Sequence, residues 1–456
     1  MAQKTGVVFF PAFDWAISPT HPEREERLLY TRDQLFEEGI MDLPQLIEYK
    51  PRIATHKDIA RAHFCVPDIQ TQITNAHLIA VGGTLVLADA LMDNQIANGF
   101  AMVRPPGHHA MRVAHGNRGF CNINNEAIMI EYLRQNYDIK KIAIVDTDVH
   151  HGDGTQDIFY HDPDVLFISF HQDGRTLFPG TGFCDELGGP NAFGMTLNVP
   201  MMPNTTDEGI HYILDNLVLP ILDDFKPDLV VNSAVQDNHY SDPLANMRFT
   251  AQGYAKLNEK LAPDLAVLEG GYAIETALPY LNTGIILAMA GLDYSWVREP
   301  DYRPENFRET QEHKDYIKGV VDYLWGVWND REQLGEQQYP REGEFIESTR
   351  QVYYDTDSIR EQQKESVRLC DNCPGYQVID SRGMYPDGQT KSIKAVALHP
   401  RACSTCQEEA RALYERMKIN LQGADVISFQ DKPADRYYQL SDRGDVEISD
   451  EHLVTE

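Results

Sequence analysis

The chain has 456 residues, with 70 acids against 40 bases and a formal net charge of −30. So large an acidic excess argues against nucleic-acid binding through phosphates and favours basic substrates. The length suffices for one large core and on size alone suggests two or three domains, while no uninterrupted apolar run reaches the roughly 18 residues of a transmembrane helix, so no membrane partner is expected.

In chain order, the apolar segment 6–10 is too short for a secretory signal and reads as a first strand, with the cytoplasm as the expected location. Helical patterns follow at 75–92, 124–137, 206–225, 250–262 and 274–291, and they alternate with strand-like apolar runs at 100–103, 142–145, 165–170, 195–200, 228–235 and 266–268. That alternation predicts an α/β fold, a parallel sheet with helices on both faces. Polar motifs come just after several of the strands, where open α/β sheets bind ligands.

The most informative of these is Asp146-Thr147-Asp148-Val149-His150-His151-Gly152-Asp153-Gly154. Strand side chains alternate faces, so Asp148 and His150 can point the same way and grip one ion. A third ligand is sought at the end of another buried strand, and Asp237 is the candidate there. One nitrogen and two carboxylates suit zinc with an open position, although Fe(II), Mn(II) or Co(II) fits the same set. The segment Arg104-Pro105-Pro106-Gly107-His108-His109-Ala110 offers two imidazoles, and the carboxylates of Asp146 and Asp153 remain to orient one each and raise its basicity. The segment Leu268-Glu269-Gly270-Gly271-Tyr272 adds a phenol that can donate to an oxyanion.

Together with Gly119-Phe120-Cys121 and Phe178-Pro179-Gly180-Thr181-Gly182, these segments resemble the zinc-dependent histone deacetylase and acetylpolyamine amidohydrolase family, with details similar to its class II branch and bacterial relatives. The likeness spans about residues 5–295, and the motifs keep the family's order. It implies the arginase-deacetylase fold, zinc on Asp148, His150 and Asp237, and His109 as general base and then general acid. By the same resemblance His108 is the electrostatic partner of His109, Asp146 pairs with His108, Asp153 pairs with His109, and Tyr272 donates to the substrate carbonyl. Phe120 and Phe178 match the walls of a narrow tunnel for an acyl-lysine chain, and the carbonyl of Gly119 matches the acceptor of the amide N–H. Arg27 matches an arginine of the acetate-release channel. Structural potassium is implied at backbone oxygens around Asp146, Asp148 and His150, with Ser169 and Phe170, and at a second site near Phe159, Asp162 and Val165.

The implied activity is hydrolysis of acetyl or other acyl groups from lysine side chains of a protein or peptide. The rival enzyme is an acetylpolyamine amidohydrolase. Leu244 stands where some polyamine-selective relatives carry a glutamate, which favours acyl-lysine, and Arg112, His115 and Arg118 are expected at the tunnel mouth, where they would repel a polycation. An arginase is disfavoured because 236–239 lacks a second bridging acid. A non-catalytic scaffold would have lost a ligand, His109 or Tyr272, and all are present. A homo-oligomer is compatible with every one of these readings.

Beyond the catalytic domain, 1–295, the expected organisation is a linker with packing helices at 296–365, a four-cysteine module at 366–425 and an acidic tail at 426–456. Ile317, Val320, Val321, Leu324, Val327 and Trp328 recur at helical spacing and form an apolar stripe. Cys370, Cys373, Cys403 and Cys406 form two C-x-x-C knuckles, the pattern of a zinc ribbon with a second, structural Zn2+; paired disulfides or free thiols are the alternative.

Overall fold

The computed structural model describes residues 3–340, 343–420 and 423–450. Eight strands build an all-parallel sheet: β1 (Thr5–Phe10), β2 (Leu46–Tyr49), β3 (Asn98–Val103), β4 (Ile142–Asp146), β5 (Val165–Gln172), β6 (Thr196–Met201), β7 (Leu229–Ala234) and β8 (Leu265–Leu268). Their order across the sheet is β2-β1-β3-β8-β7-β4-β5-β6. β3, β4, β5, β6 and β8 are buried along their whole length, because helices cover both faces, and this is why they read as continuous apolar runs.

Among the helices, Asn75–Met92 has the length and apolarity of a membrane span, but 12 of its 18 residues are buried, and it packs chiefly on β1, β3 and the helix Asn125–Asn136. The expected helix 206–225 is present with a π turn at Leu214–Val218. The apolar stripe of the long helix Gln311–Gln338 is buried at Ile317, Val321, Leu324, Val327 and Trp328 against the main core.

The four motif-bearing strands β3, β8, β7 and β4 are consecutive neighbours in the sheet. In-register pairing aligns Asp146 with Ser169 on one side and Ser233 on the other. The segments that leave these four C-terminal ends therefore converge on one place without any long-range rearrangement.

The C-terminal part departs from the sequence expectation. The end of the segment 296–365, expected as linker and packing helices, instead forms β9 (Phe345–Tyr354) and most of β10 (Ile359–Arg368). Residues 426–447, expected as an acidic tail, supply β13 (Val426–Asp431), β14 (Arg436–Ser441) and β15 (Gly444–Glu447), while 451–456 lie outside the described residues. With β11 (Tyr376–Met384) and β12 (Thr390–Leu398) they make a second sheet of seven strands in sequential order, antiparallel except where the helix Ser404–Asn420 crosses from β12 to parallel β13.

The physical reason for the miss is visible in β10, whose buried face carries Ile359, Glu361, Gln363, Glu365 and Val367. Three polar residues on the inward face erase the alternation that marks a strand. They are buried because partners meet them: Ser381 and Tyr354 hydrogen-bond Glu361, Arg350 bonds Gln363, and His161 bonds Glu365. Apolar contact of Phe64, Val66 and Val113 with Ile379, Ile393, Ala395 and Val426 joins this sheet to the parallel-sheet part.

Candidate active site

Asp148, His150 and Asp237 bring one ligand atom each to within 4.8 Å of one another. His150 Nδ1 lies 3.0 Å from Asp148 Oδ1 and 3.2 Å from Asp237 Oδ2. Both carboxylates are fully buried, and burial together with the charge of Asp148 pushes the Asp237 carboxyl up. Asp237 Oδ2 is buried without a hydrogen-bond partner. An unsatisfied oxygen beside a second carboxylate and an imidazole is the donor set a divalent cation requires, so the residues fit the metal the sequence implies. The approach also demands glycine at 270, where a Cβ would meet Asp237 Oδ2 at 2.3 Å and Asp148 Oδ2 at 2.9 Å.

The two histidines after β3 stand beside this triad, with ring centroids 4.0 Å apart. His108 Nδ1 lies 3.2 Å from Asp146 Oδ2, and its Nε2 lies 3.4 Å from Asp148 Oδ2. Burial opposes charge on His108, but Asp148 and Asp146 outweigh it and hold its pKa well above the usual value. His109 Nδ1 lies 2.8 Å from Asp153 Oδ1. Burial, with cationic His108 alongside, pushes His109 down to about 3, which leaves it neutral and able to accept a proton. Arg118 holds the other oxygen of Asp153. Each histidine thus has the carboxylate partner expected of it.

A cavity of about 270 Å³ reaches this centre, lined by His108, His109, Gly119, Phe120, Asp148, His150, Phe178, Leu244 and Tyr272 among others. The ring of Phe178 is 5.1 Å from that of His109, and the ring of Phe120 is 5.7 Å from that of Tyr272. Arg27 is fully buried behind Tyr272, with its guanidinium 4.9 Å from the phenol ring and its Nε donating to Gly271 O at 2.7 Å.

Three functional neighbours escaped the sequence reading. Glu269 Oε2 accepts the backbone N–H of His108 at 3.0 Å as well as that of Gly107, and burial pushes this carboxyl up to about 8. A charged residue directly after the all-apolar strand β8 was its signal. Glu126, pushed by burial and by Asp146 up to about 7, is held by Ser233 and Thr155 at 2.7 and 2.8 Å. Asp355 lines the cavity from the β9–β10 turn and accepts the N–H of Gly119 at 2.8 Å.

Arg112, His115 and Arg118 do not form a basic rim. They are 5%, 1% and 7% exposed, covered by the second sheet. Arg112 bonds Gln377, His115 bonds Ser381 at 2.8 Å, and Arg118 donates to the carbonyl of Tyr353. Arg118 is also paired with Asp153, and burial pushes His115 down to about 4, so no exposed cluster of positive charge stands there to repel a cationic substrate.

Of the residues tied to potassium, Ser169 Oγ pairs with His171 Nδ1 at 2.8 Å. The Asp162 carboxylate is taken by Arg134 at 2.6 Å and His399 at 3.0 Å, and Phe159, Val165 and Phe170 are buried in the core. At the second sheet, the sulfurs of Cys370, Cys373, Cys403 and Cys406 all lie within 4.8 Å of one another, with pairs at 3.9 and 3.6 Å.

A parallel α/β sheet thus carries an Asp-His-Asp cluster and two His-Asp pairs at the C-terminal ends of its strands. Comparison with known proteins gives the family. A model of the histone deacetylase domain matches residues 67–288. A probable deacetylase of Archaeoglobus fulgidus is 43% identical over 331 residues, which cover 66% of this chain and 90% of that protein. The acetoin utilization protein AcuC of Staphylococcus xylosus is 33% identical over 328 residues, covering 64% and 84%. Among solved structures, the HDA15 HD domain superposes with a TM-score of 0.63 at 27% identity, over 75% of this chain and 99% of that one. The chain belongs to the histone deacetylase family, whose members hydrolyse amides.

Proposed function

We propose that this protein is a zinc-dependent lysine deacylase, which removes acetyl or larger acyl groups from lysine side chains. The observation that carries the reading is the placement of the Asp148-His150-Asp237 triad and the neutral His109 at the end of one cavity walled by Phe120 and Phe178. A divalent metal held by Asp148, His150 and Asp237 would supply Lewis acidity to the amide carbonyl and to the attacking water. His109, oriented by Asp153, takes the proton of the attacking water and returns it to the leaving amine. His108 stays charged between Asp146 and Asp148. Tyr272 donates its O–H to the oxygen on which negative charge develops. Phe120 and Phe178 hold the aliphatic chain, and the apolar Leu244 at the cavity favours a lysine stem over a polyamine. Potassium at the backbone oxygens of β4 and β5 completes the same proposal and would stiffen the loop that carries Asp148 and His150.

Tyr272→Phe is expected to lower kcat by about 10²–10³-fold with KM little changed, the usual effect of deleting one oxyanion donor. Steady-state kinetics on an acetyl-lysine peptide checks it.

For the second sheet we propose a structural zinc on the four cysteines. Tetrahedral Zn–S bonds of about 2.3 Å require sulfurs about 3.8 Å apart, which matches the observed pair separations. The doubly substituted protein Cys403→Ser, Cys406→Ser should lose one zinc per chain and melt several degrees lower, read by elemental analysis and thermal denaturation. Unchanged zinc content would remove this site from the account.

The reading as a whole is tested by turnover of a panel comprising an acetyl-lysine peptide, longer acyl-lysine peptides and N-acetylated polyamines. Hydrolysis of the peptides supports it, and hydrolysis of polyamines alone transfers the enzyme to the acetylpolyamine amidohydrolases.

A further inference from the structure

A second cavity, of about 670 Å³, lies between the parallel-sheet part and the second sheet, and it shares Phe178 and Asp355 with the wall of the catalytic cavity. The two spaces are therefore neighbours, with Phe178 and Asp355 between them. One side of the second cavity is β9, whose residues Ser348 to Tyr353 line it. β9 is an edge strand, at the end of the seven-stranded order.

The register shows which backbone groups that edge presents. Leu369 N–H donates to Glu344 O at 2.8 Å, and 344 and 369 continue the pairing in which Phe345 faces Arg368. In an antiparallel ladder, hydrogen-bonded pairs alternate with non-bonded ones. The even-numbered residues of β9 thus exchange bonds with β10, and the N–H and C=O groups of Phe345, Glu347, Thr349, Gln351 and Tyr353 point to the free edge. Among the described residues no other backbone segment pairs with that edge. Among the described residues, the Arg118 guanidinium donates to the carbonyl of Tyr353 on that edge. Ten residues of edge strand contain no proline, a device by which proteins commonly block such an edge.

We infer that β9 is a docking strand for substrate: the extended backbone that flanks an acyl-lysine adds to the free edge of β9 while the acylated side chain enters the tunnel. The inference rests on the lysine-deacylase reading. Adjacency of the two cavities selects this occupant, because a chain that leaves the catalytic cavity past Phe178 and Asp355 has β9 beside it. Charge agrees: Asp153, Asp157 and Glu365 are paired with Arg118, Arg350 and His161, while Glu186 and Asp355 line the second cavity without a cationic partner among the described residues, which suits basic residues beside the acyl-lysine. Main-chain bonds to the strand would supply affinity, and alternate side chains entering the cavity would supply sequence preference.

The test compares kcat/KM for an extended acetyl-lysine peptide with that for a single-residue acetyl-lysine amide. The wild type should favour the extended peptide by about tenfold or more, the worth of one or two net backbone hydrogen bonds. Thr349→Pro removes an edge N–H without removing a bond to β10, and should bring that ratio close to one. Circular dichroism and melting check its fold. Independently of any variant, N-methylation of alternate flanking amides in the peptide should abolish the preference in one phase and spare it in the other. Equal kcat/KM for both substrates in the wild type, or equal loss from both methylation phases, would overturn the inference. So would a dimer that Thr349→Pro dissociates while the substrate ratio stays unchanged, since the edge would then serve a second copy. Hydrolysis of both lysine substrates with no length dependence would sink the docking strand alone, and failure on both with turnover of acetylated polyamines would sink the lysine reading as well.

Discussion

His109→Ala is expected to lower kcat on an acetyl-lysine peptide by about 10³–10⁴-fold while KM changes little, the upper range for loss of a positioned acid–base group. The effect should be large because this residue serves twice, as acceptor from water and as donor to the amine. Geometry supports the assignment over His108. Nδ1 of His109 is bound to Asp153 at 2.8 Å, which leaves Nε2 for the reacting groups, whereas both nitrogens of His108 face carboxylates, Asp146 at 3.2 Å and Asp148 at 3.4 Å. Burial and the charge of His108 push His109 down to about 3, so at neutral pH its imidazole is unprotonated and Nε2 is free to accept a proton. Asp153 keeps its partner Arg118 in the variant, so the fold should survive, and an unchanged melting profile is the control. A variant that retains more than a tenth of wild-type kcat would exclude His109 from proton transfer.

The second large effect concerns the triad. Asp237→Asn preserves shape but replaces an anionic ligand with a neutral amide, and is expected to lower both metal content at this site and turnover, the latter by about 10³-fold or more. The physical basis is the buried, unpartnered Oδ2 of Asp237 facing Asp148 and His150. The charge of Asp148 pushes the Asp237 carboxyl up, and a neutral amide at 237 removes that repulsion. The variant should therefore fold at least as well without metal as the wild type does. Elemental analysis separates this site from the four cysteines, because Asp237→Asn should lose one metal per chain and keep the other.

Much of the centre was legible because each functional residue directly follows an apolar run that ends at the same edge of one sheet. Asp148 and His150 after β4, Asp237 after β7, His108 and His109 after β3 and Tyr272 after β8 need only the parallel topology to meet. The strands β9 and β10 of the second sheet were not legible for the converse reason, whereas 376–379 and 393–398 read as strands from the sequence. β10 buries Glu361, Gln363 and Glu365 through specific partners on distant segments, and no local pattern reveals a partner. Asp355 reaches the cavity from a turn remote in sequence from every motif. Arg112, His115 and Arg118 were misread for the same reason, since a polar loop looks solvated until the sheet that covers it is known.

Metal-dependent deacylation at the Asp148-His150-Asp237 centre is the activity proposed for this protein. Its most direct test is to strip the purified protein with a chelator and titrate zinc back while following both bound metal and hydrolysis of an acetyl-lysine peptide. The account predicts that activity disappears on stripping and returns in proportion to metal bound in the wild type, with no return in Asp237→Asn. Full activity in the metal-free protein, or fully loaded protein that leaves acyl-lysine intact, would contradict it.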